Sequence, residues 1–437
     1  MITKGARVCN SKIVVIILFS LCLVSISNAA NVIYVDVNGP NDPGTGTFDD
    51  PFRKIQDAID AAIDGDIVEI QSGIYTGPGN YNLDPGGLAI TIRSTDPNDP
   101  NVVVNTIIDP NEAGRGFYIH SGEDANCVIS GLTIRNGYTG GKGGGIFCYN
   151  SSPTIANCVI SGNYAGMYGG AMFCQSSSLQ FISCIITSNT ARWDGGALEC
   201  WEGMPELMNC IIADNNSLGG NGGGIDCFSN GDVLLTNCTL TKNYANSGGA
   251  VYSWASNVVV NNSIVWANEA DDGSQIAITT GSVSISYSDV QGDWPGTSNI
   301  DADPCFASFD PIGDPNMWDF HLQSAYGRWD TNSQTWATDS NTSLCIDAGD
   351  PNSDWSDEPW PNGKRVNIGV YGGTNQTSMN GNPADFDIDG FVNFVDFTEF
   401  SNKWSAKESC IQDLTDNGMV DSADLRIFAE NWLWQRE

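Results

Sequence analysis

The sequence predicts an all-β architecture, a right-handed parallel β-helix solenoid with an N-terminal capping helix, followed by a small α-helical domain built on two paired calcium loops. Three observations predict it. A pattern repeats about every 26 residues, that repeat contains no helical apolar spacing, and two oxygen-rich loops of matching design lie 28 residues apart near the C-terminus.

Five segments carry the repeat: GGGIFC at 143, GGAMFC at 169, GGALEC at 195, GGGIDC at 222 and GGAVYS at 248. Each period holds short alternating runs separated by Gly, Asn and Ser, so each is one coil of β-strands. Successive coils then pair in parallel about 4.8 Å apart, which stacks like residues on like residues. One core column is Cys158, Cys184, Cys210 and Cys238, and a second is Cys148, Cys174, Cys200 and Cys227. Core packing explains both columns, while the coil spacing also falls inside the Cα window of a disulfide, so their oxidation state stays open. Asn163, Asn189, Asn215, Asn243 and Asn268 form a further column at strand ends. There an amide ladder satisfies itself against the turns above and below, and Asn tolerates a left-handed backbone.

The ends of such a stack need covering. Asp50-Pro51 opens a predicted helix with Ile55, Ala58, Ile59, Ala62 and Ile63 on one face and Gly65 as its stop, a cap for the N-terminal end. Ahead of it, Lys4, Arg7 and Lys12, an apolar run from Ile13 to Ile26 and Ser27-Asn28-Ala29 read as an export signal over residues 1–29. The run is too short to span a bilayer, so no membrane span is expected in the mature chain and its location is secreted or cell-surface. The formal net charge of −34 makes nucleic acid an implausible partner.

The segments YVDVNG, DDPFRKIQDAIDAAIDGDIVEIQSGIYTG and the NCxI and GGGIxC coils resemble the pectate-lyase-like superfamily of right-handed parallel β-helix repeat proteins. The resemblance covers residues 32 to about 275 and places the solenoid at 30–375, with an irregular stretch at 276–375 that looks like closing coils. It also makes Cys305 with Cys345 the most natural disulfide. Residues 376–384 read as a linker to a domain at 385–437.

That last domain carries the most explicit chemistry. Asp385, Asp387, Asp389, Asn393 and Asp396 stand at loop positions 1, 3, 5, 9 and 12, with the Phe391 carbonyl at 7 and Gly390 at the sharp turn, the oxygen set that hard Ca²⁺ requires. The second copy offers Asp413, Thr415, Asn417, Met419 through its carbonyl, Asp421 and Asp424. Thr415 replaces a carboxylate, so the second of the two calcium sites is expected to be weaker. Phe397, Phe400 and Trp404 after the first loop match Leu425, Phe428 and Trp432 after the second. Duplication and Asp at position 12 make this resemble a dockerin type I-like domain. The resemblance implies a cohesin-like domain or cell-envelope protein as partner, read by Phe394-Val395 and Ser422-Ala423.

On the coils, residues alternating with the core point outward. One outward column reads Phe147, Phe173, Glu199, Asp226, Tyr252, and the next reads Tyr149, Gln175, Trp201, Phe228, Trp254. Tyr149, Trp201, Phe228 and Trp254 are candidate sugar-binding platforms, and Glu199 with Asp226 is a candidate catalytic pair, because glycoside hydrolysis needs two carboxyls. With only His120 and His321, a histidine-rich zinc site is excluded, and no P-loop or G-x-S-x-G motif occurs. Two functions remain. One is a secreted carbohydrate-targeting protein for polysaccharide binding or catabolism, which as an enzyme would be a polysaccharide lyase or O-glycosyl hydrolase. The other is a non-catalytic surface or adhesion scaffold.

Overall fold

The computed structural model describes residues 30–310, 312, 315–387, 391–406, 410–415, 418–433 and 435. The expected export signal lies outside them, as do Asp389, Gly390 and Asn417 of the expected calcium loops. No helix among the described residues is long and apolar enough to cross a membrane.

The repeat builds a parallel β-solenoid of about 9 turns. Its strands form sheets of fifteen, nine and six strands. The fifteen-stranded sheet is two rows joined at Val251–Asn261, which pairs at its start with Ile225–Gly231 and at its end with Val233–Thr236. Earlier coils interrupt that corner with a turn.

Stacking is in register. Cys148 pairs with Cys174, Cys174 with Cys200, Cys200 with Cys227 and Cys227 with Ser253. On another face Ile160, Ile186, Ile212, Leu240 and Val265 follow one another. All of these are buried in one continuous core, where each large aliphatic side chain stabilises by about 1.5–3 kcal/mol. The cysteines are free thiols. Burial pushes the thiols of Cys127 and Cys148 up to about 12, which disfavours the reactive thiolate.

The asparagine column is a continuous buried ladder. Asn163 Nδ2 donates to Asn189 Oδ1 at 2.9 Å, and the same bond joins Asn189 to Asn215, Asn215 to Asn243 and Asn243 to Asn268. Each backbone N–H also donates to the next Oδ1, and each Nδ2 reaches a carbonyl of the preceding coil. Gln275 ends the series, accepting from Asn268 at 2.8 Å. The left-handed conformation belongs to the residue before each asparagine: Gly162, Ser188, Asp214, Lys242 and Ala267 have φ between 53° and 63°. The amide is thereby turned inward, where its bonds are shielded from water.

The helix Ile55–Ala61 buries Ile55, Ala58 and Ile59 against Val32–Val35 and Ile67–Ile70. It begins later than Asp50-Pro51 implied, and Ile63 is exposed because the chain leaves the helix at Ala62. The stretch expected to add closing coils differs more. Ile276–Ser286 and Asp289–Val290 still join the solenoid sheets. Beyond them the chain folds back as a layer on the outside of the nine-stranded sheet, with Phe306, Phe320, Leu322, Ile346, Ile368 and Val370 packed on Ile211, Ala213 and Ile264. Asn209 Nδ2 donates to the carbonyls of Val370 and Gly372 at 2.8 and 2.9 Å, fixing that layer. Cys345 Sγ donates to Asp289 Oδ2 at 3.2 Å, so the thiol is directed at a carboxyl and the Cys305–Cys345 disulfide is not formed.

Residues 376–384 are likewise no free linker. Ser378 Oγ donates to the Leu322 carbonyl, Met379 N to the Gly327 carbonyl and Asn380 N to the Pro361 carbonyl. Trp360 donates to the Pro383 carbonyl at 2.9 Å and packs against the C-terminal core of Phe386, Val392, Phe400 and Phe428.

Asn215→Ala removes an acceptor shared by two N–H groups of Asn189 and a donor to the carbonyls of Ile186 and Ala213. Stranded buried groups cost about 1–3 kcal/mol each, so a loss of at least about 2 kcal/mol is expected in urea unfolding. A variant as stable as the parent would contradict a structural role for the ladder.

Candidate functional site

The outward face of the strands Ile146–Tyr149, Met172–Gln175, Leu198–Gly203, Ile225–Gly231 and Val251–Asn261 carries a row of rings. Centroid separations run 5.2 Å from Tyr118 to Phe147, 5.5 Å to Phe173, 5.2 Å to Trp201, 5.4 Å to Phe228 and 4.3 Å to Trp254. The row crosses from one outward column to the other between Phe173 and Trp201, where Glu199 displaces the aromatic from the first column. Trp201, Phe228 and Trp254 therefore act as one series. Tyr149 is exposed but pairs in register with Gln175, so its column holds no ring on the next coil.

Glu199 and Asp226 pair in register on the face opposite Cys200 and Cys227, as strand alternation requires. They were expected as an outward acidic pair between platforms, but they are 1% and 2% exposed. Two features roof them. Trp201 folds over Glu199 and donates its Nε1–H to Oε1. Gly195 and Gly222, with φ of 68° and 60°, bring their turns onto the pair so closely that a Cβ there would lie 2.8 Å from Glu199 Cβ and 2.7 Å from Asp226 Cβ. Only glycine fits that combination of conformation and approach.

Burial holds the Glu199 carboxyl well above the usual carboxylate range, and the neighbouring Asp226 and Asp194 raise it further against the opposing hydrogen bond from Trp201. Burial and Asp194 raise Asp226 in the same way. Asp194 is itself raised by burial and accepts from Asn221 N at 2.7 Å. Glu199 Oε2 is buried and has no hydrogen-bond partner.

Sequence reasoning missed Lys142. It stands in the Gly140–Gly145 turn as that turn's only side chain beyond hydrogen, which was the available signal. Its Nζ lies 3.6 Å from the Trp201 ring centroid, 4.2 Å from Phe173 and 5.7 Å from Tyr168. Arg115 takes a similar place nearer the N-terminus, 5.7 Å from the Tyr118 centroid and 5.5 Å from Phe147.

In the C-terminal domain Asp385, Asp387 and Asp396 bring carboxylate oxygens within 4.8 Å of one another. Asp396 Oδ1 accepts from Phe386 N at 2.7 Å, and its Oδ2 accepts from Asn393 N at 2.8 Å in a capping box at the start of Phe394–Asn402. The second loop repeats the device: Asp424 Oδ1 accepts from Thr415 N and Oγ1, and its Oδ2 accepts from Asp421 N at the start of Ser422–Glu430. These bonds lower the Asp424 carboxyl against its burial. Gly418 N donates to Asp413 Oδ2 at 2.7 Å. Among the described residues the carboxylates of this second loop form no cluster like that of the first. Thr415 turns its hydroxyl to Asp424 where the first loop has Asp387. Of the matched apolar residues, Phe400 and Phe428 are buried and stack at 5.4 Å, whereas Phe397 and Trp404 remain partly exposed.

No protein-family model matches the chain, and no curated protein matches its sequence. Among solved structures it is similar to a pectate lyase, at 16% identity and a TM-score of 0.42 over 81% of this chain and 97% of that one. It is also similar to the deglycosylated pectin methylesterase of Aspergillus niger, at 15% identity and a TM-score of 0.36 over 63% of this chain and 86% of that one.

A carboxyl raised on folding binds its proton more tightly in the folded chain, so its stabilising effect is full below the ordinary range, near 4.5 for Glu199, and is lost as pH climbs through the folded value. Glu199→Gln removes the ionisation and keeps the shape. Its melting temperature should fall less than that of the parent from pH 4.5 to about 8, and parallel curves would show that Glu199 does not carry this linkage.

Proposed function

We propose that the chain is an exported, carbohydrate-binding β-solenoid, with polysaccharide lying along the ring row and a calcium-folded dockerin-like module attaching it to a cohesin-like partner or a cell-envelope protein. The row from Tyr118 to Trp254 carries the reading. Six rings span five coil intervals of about 4.8 Å, about 24 Å in all, a length suited to a polymer rather than a single small molecule; Phe173 is buried within the row, and the other five rings reach solvent. Rings offer large rigid contact area to the apolar faces of sugars. Trp254 is 37% exposed and stacked on Phe228, so its ring is open to a ligand.

Binding without cleavage is the favoured form of this reading. The pair Glu199 and Asp226 has the two carboxyls that glycoside hydrolysis demands, but its burial leaves no approach for a glycosidic oxygen. In a polysaccharide array, Trp201→Ala and Trp254→Ala should each weaken retention of the bound polymer about tenfold, the scale of lost stacking contacts. Full retention by both variants would remove the ring row from the function, and product release by the parent that is lost in Glu199→Gln would restore the enzyme reading.

For the module, Asp385, Asp387, Asp389, Asn393 and Asp396 with the Phe391 carbonyl would hold one Ca²⁺, and the set from Asp413 to Asp424 a second, weaker one. The carboxylate convergence at Asp385, Asp387 and Asp396 supports the first site. A bound ion supplies the charge neutralisation that lets these carboxylates crowd together. Phe394, 75% exposed, and Val395 begin the first module helix and offer an apolar contact to a partner. Calcium titration of the full chain should show two unequal sites, with Asp387→Ala abolishing the tighter one and chelator lowering the stability of the module. Identical melts with and without chelator would count against calcium.

A further inference from the structure

The free chain already shows what kind of group its ring row accepts. Lys142 places an ammonium among Tyr168, Phe173 and Trp201, nearest the indole, with Glu199 beside it. Rings arranged in this way attract a cation through their negative faces. The lysine arrives on a turn of glycines, Gly140, Gly141 and Gly143 to Gly145, which is held at its backbone where Arg115 donates to the Lys142 carbonyl at 3.0 Å. Apart from Arg115, the charged group beside the lysine is Glu199, and the chain as a whole carries a formal charge of −34. Glu199, whose Oε2 finds no hydrogen-bond partner among the described residues, lies beside the cage and accepts from the Trp201 indole through Oε1. Further along, the stacked pair Phe228 and Trp254 holds no cation among the described residues, while Glu202 is exposed on the strand of Trp201.

We infer that the cage of Tyr168, Phe173 and Trp201 is an ammonium site, held by Lys142 in the free chain, and that the polysaccharide bound along the row carries free protonated amino groups that displace this lysine. The inference rests on the polysaccharide reading and names the class of polymer within it. A polyuronate meets the opposite situation: its carboxylates would face an acidic chain whose nearest cations, Arg115 and Lys142, are engaged by rings. Arg115 is further tied down by bonds to the Lys142 carbonyl and Thr139 Oγ1. A neutral glycan could stack on the rings but gains nothing from the cage. The displaced lysine swings out on its glycine turn, exchanging one cation for another, so charge in the cage is conserved.

The probes are hexamers of glucosamine, of N-acetylglucosamine and of galacturonate, each titrated calorimetrically into the full chain. The glucosamine hexamer should bind most tightly, on the order of tenfold better than its acetylated counterpart, the scale of a partly desolvated cation–π contact. Lys142→Ala empties the cage and should tighten glucosamine binding several-fold more than that of the acetylated hexamer, which gains only the uncovered ring face. Because any polycation is drawn to an acidic chain, Trp201→Ala is the control that preserves net charge: glucosamine affinity must fall in it, and affinity retained there would reduce the effect to bulk electrostatics and overturn the proposal. Preference for the acetylated or galacturonate hexamer, or indifference to Lys142→Ala, overturns the ammonium site and leaves the polysaccharide reading standing. No binding of any hexamer by the parent takes down both.

Discussion

In-register stacking of one coil on the next is the constraint on which everything else rests, and the buried asparagine ladder is its most exacting expression. A core of Ile, Leu and Val tolerates small slips, since dispersion contacts are numerous and weakly directional. The bonds from Asn163 through Asn268 do not, because each amide has a fixed donor and acceptor and no water to replace a lost partner. Once that ladder is set, the thiol columns, the aliphatic columns and the outward rings are placed without further choice. The ring row is a consequence of register.

The sequence made the repeat legible because like residues recur at the period, and a period survives variation in any single coil. It made the inward or outward side of each residue legible too, since strand alternation is local. What it could not express was cover. Glu199 and Asp226 obey alternation and are still buried, because Trp201 and the turns at Gly195 and Gly222 fold over them, and a turn's path depends on the coils above and below it. Lys142 escaped notice for the same reason, as its place among rings is set by a glycine turn with no pattern of its own. The layer formed by residues after Val290 lacks the period, so nothing local distinguishes it from the closing coils that the resemblance implies. Its partners, Ile211, Ala213 and Ile264, lie far away in sequence.

The two carboxyl clusters of the molecule illustrate opposite solutions to crowded negative charge. On the solenoid, burial favours protonation, and Glu199 and Asp226 are raised together. In the second C-terminal loop, backbone N–H groups and the helix start favour the charged form of Asp424, which accepts from Thr415 and Asp421. The first arrangement stores a proton. The second keeps a carboxylate charged, and the pattern of oxygen donors around it is visible in sequence because fixed offsets within a dozen residues need no distant partner.

The junction at Trp360 has a mechanical meaning. A flexible tether would let the C-terminal module sweep through a large volume, and anything it held would meet the solenoid at every angle. Here the indole lies against Phe386, Val392, Phe400 and Phe428 while its N–H holds the Pro383 carbonyl, and the residues on either side are bonded into the layer on the solenoid. The joint is a bracket. Were the module to dock as proposed, the ring row would leave that surface in one set direction, so copies arrayed side by side would present parallel tracks with a common polarity.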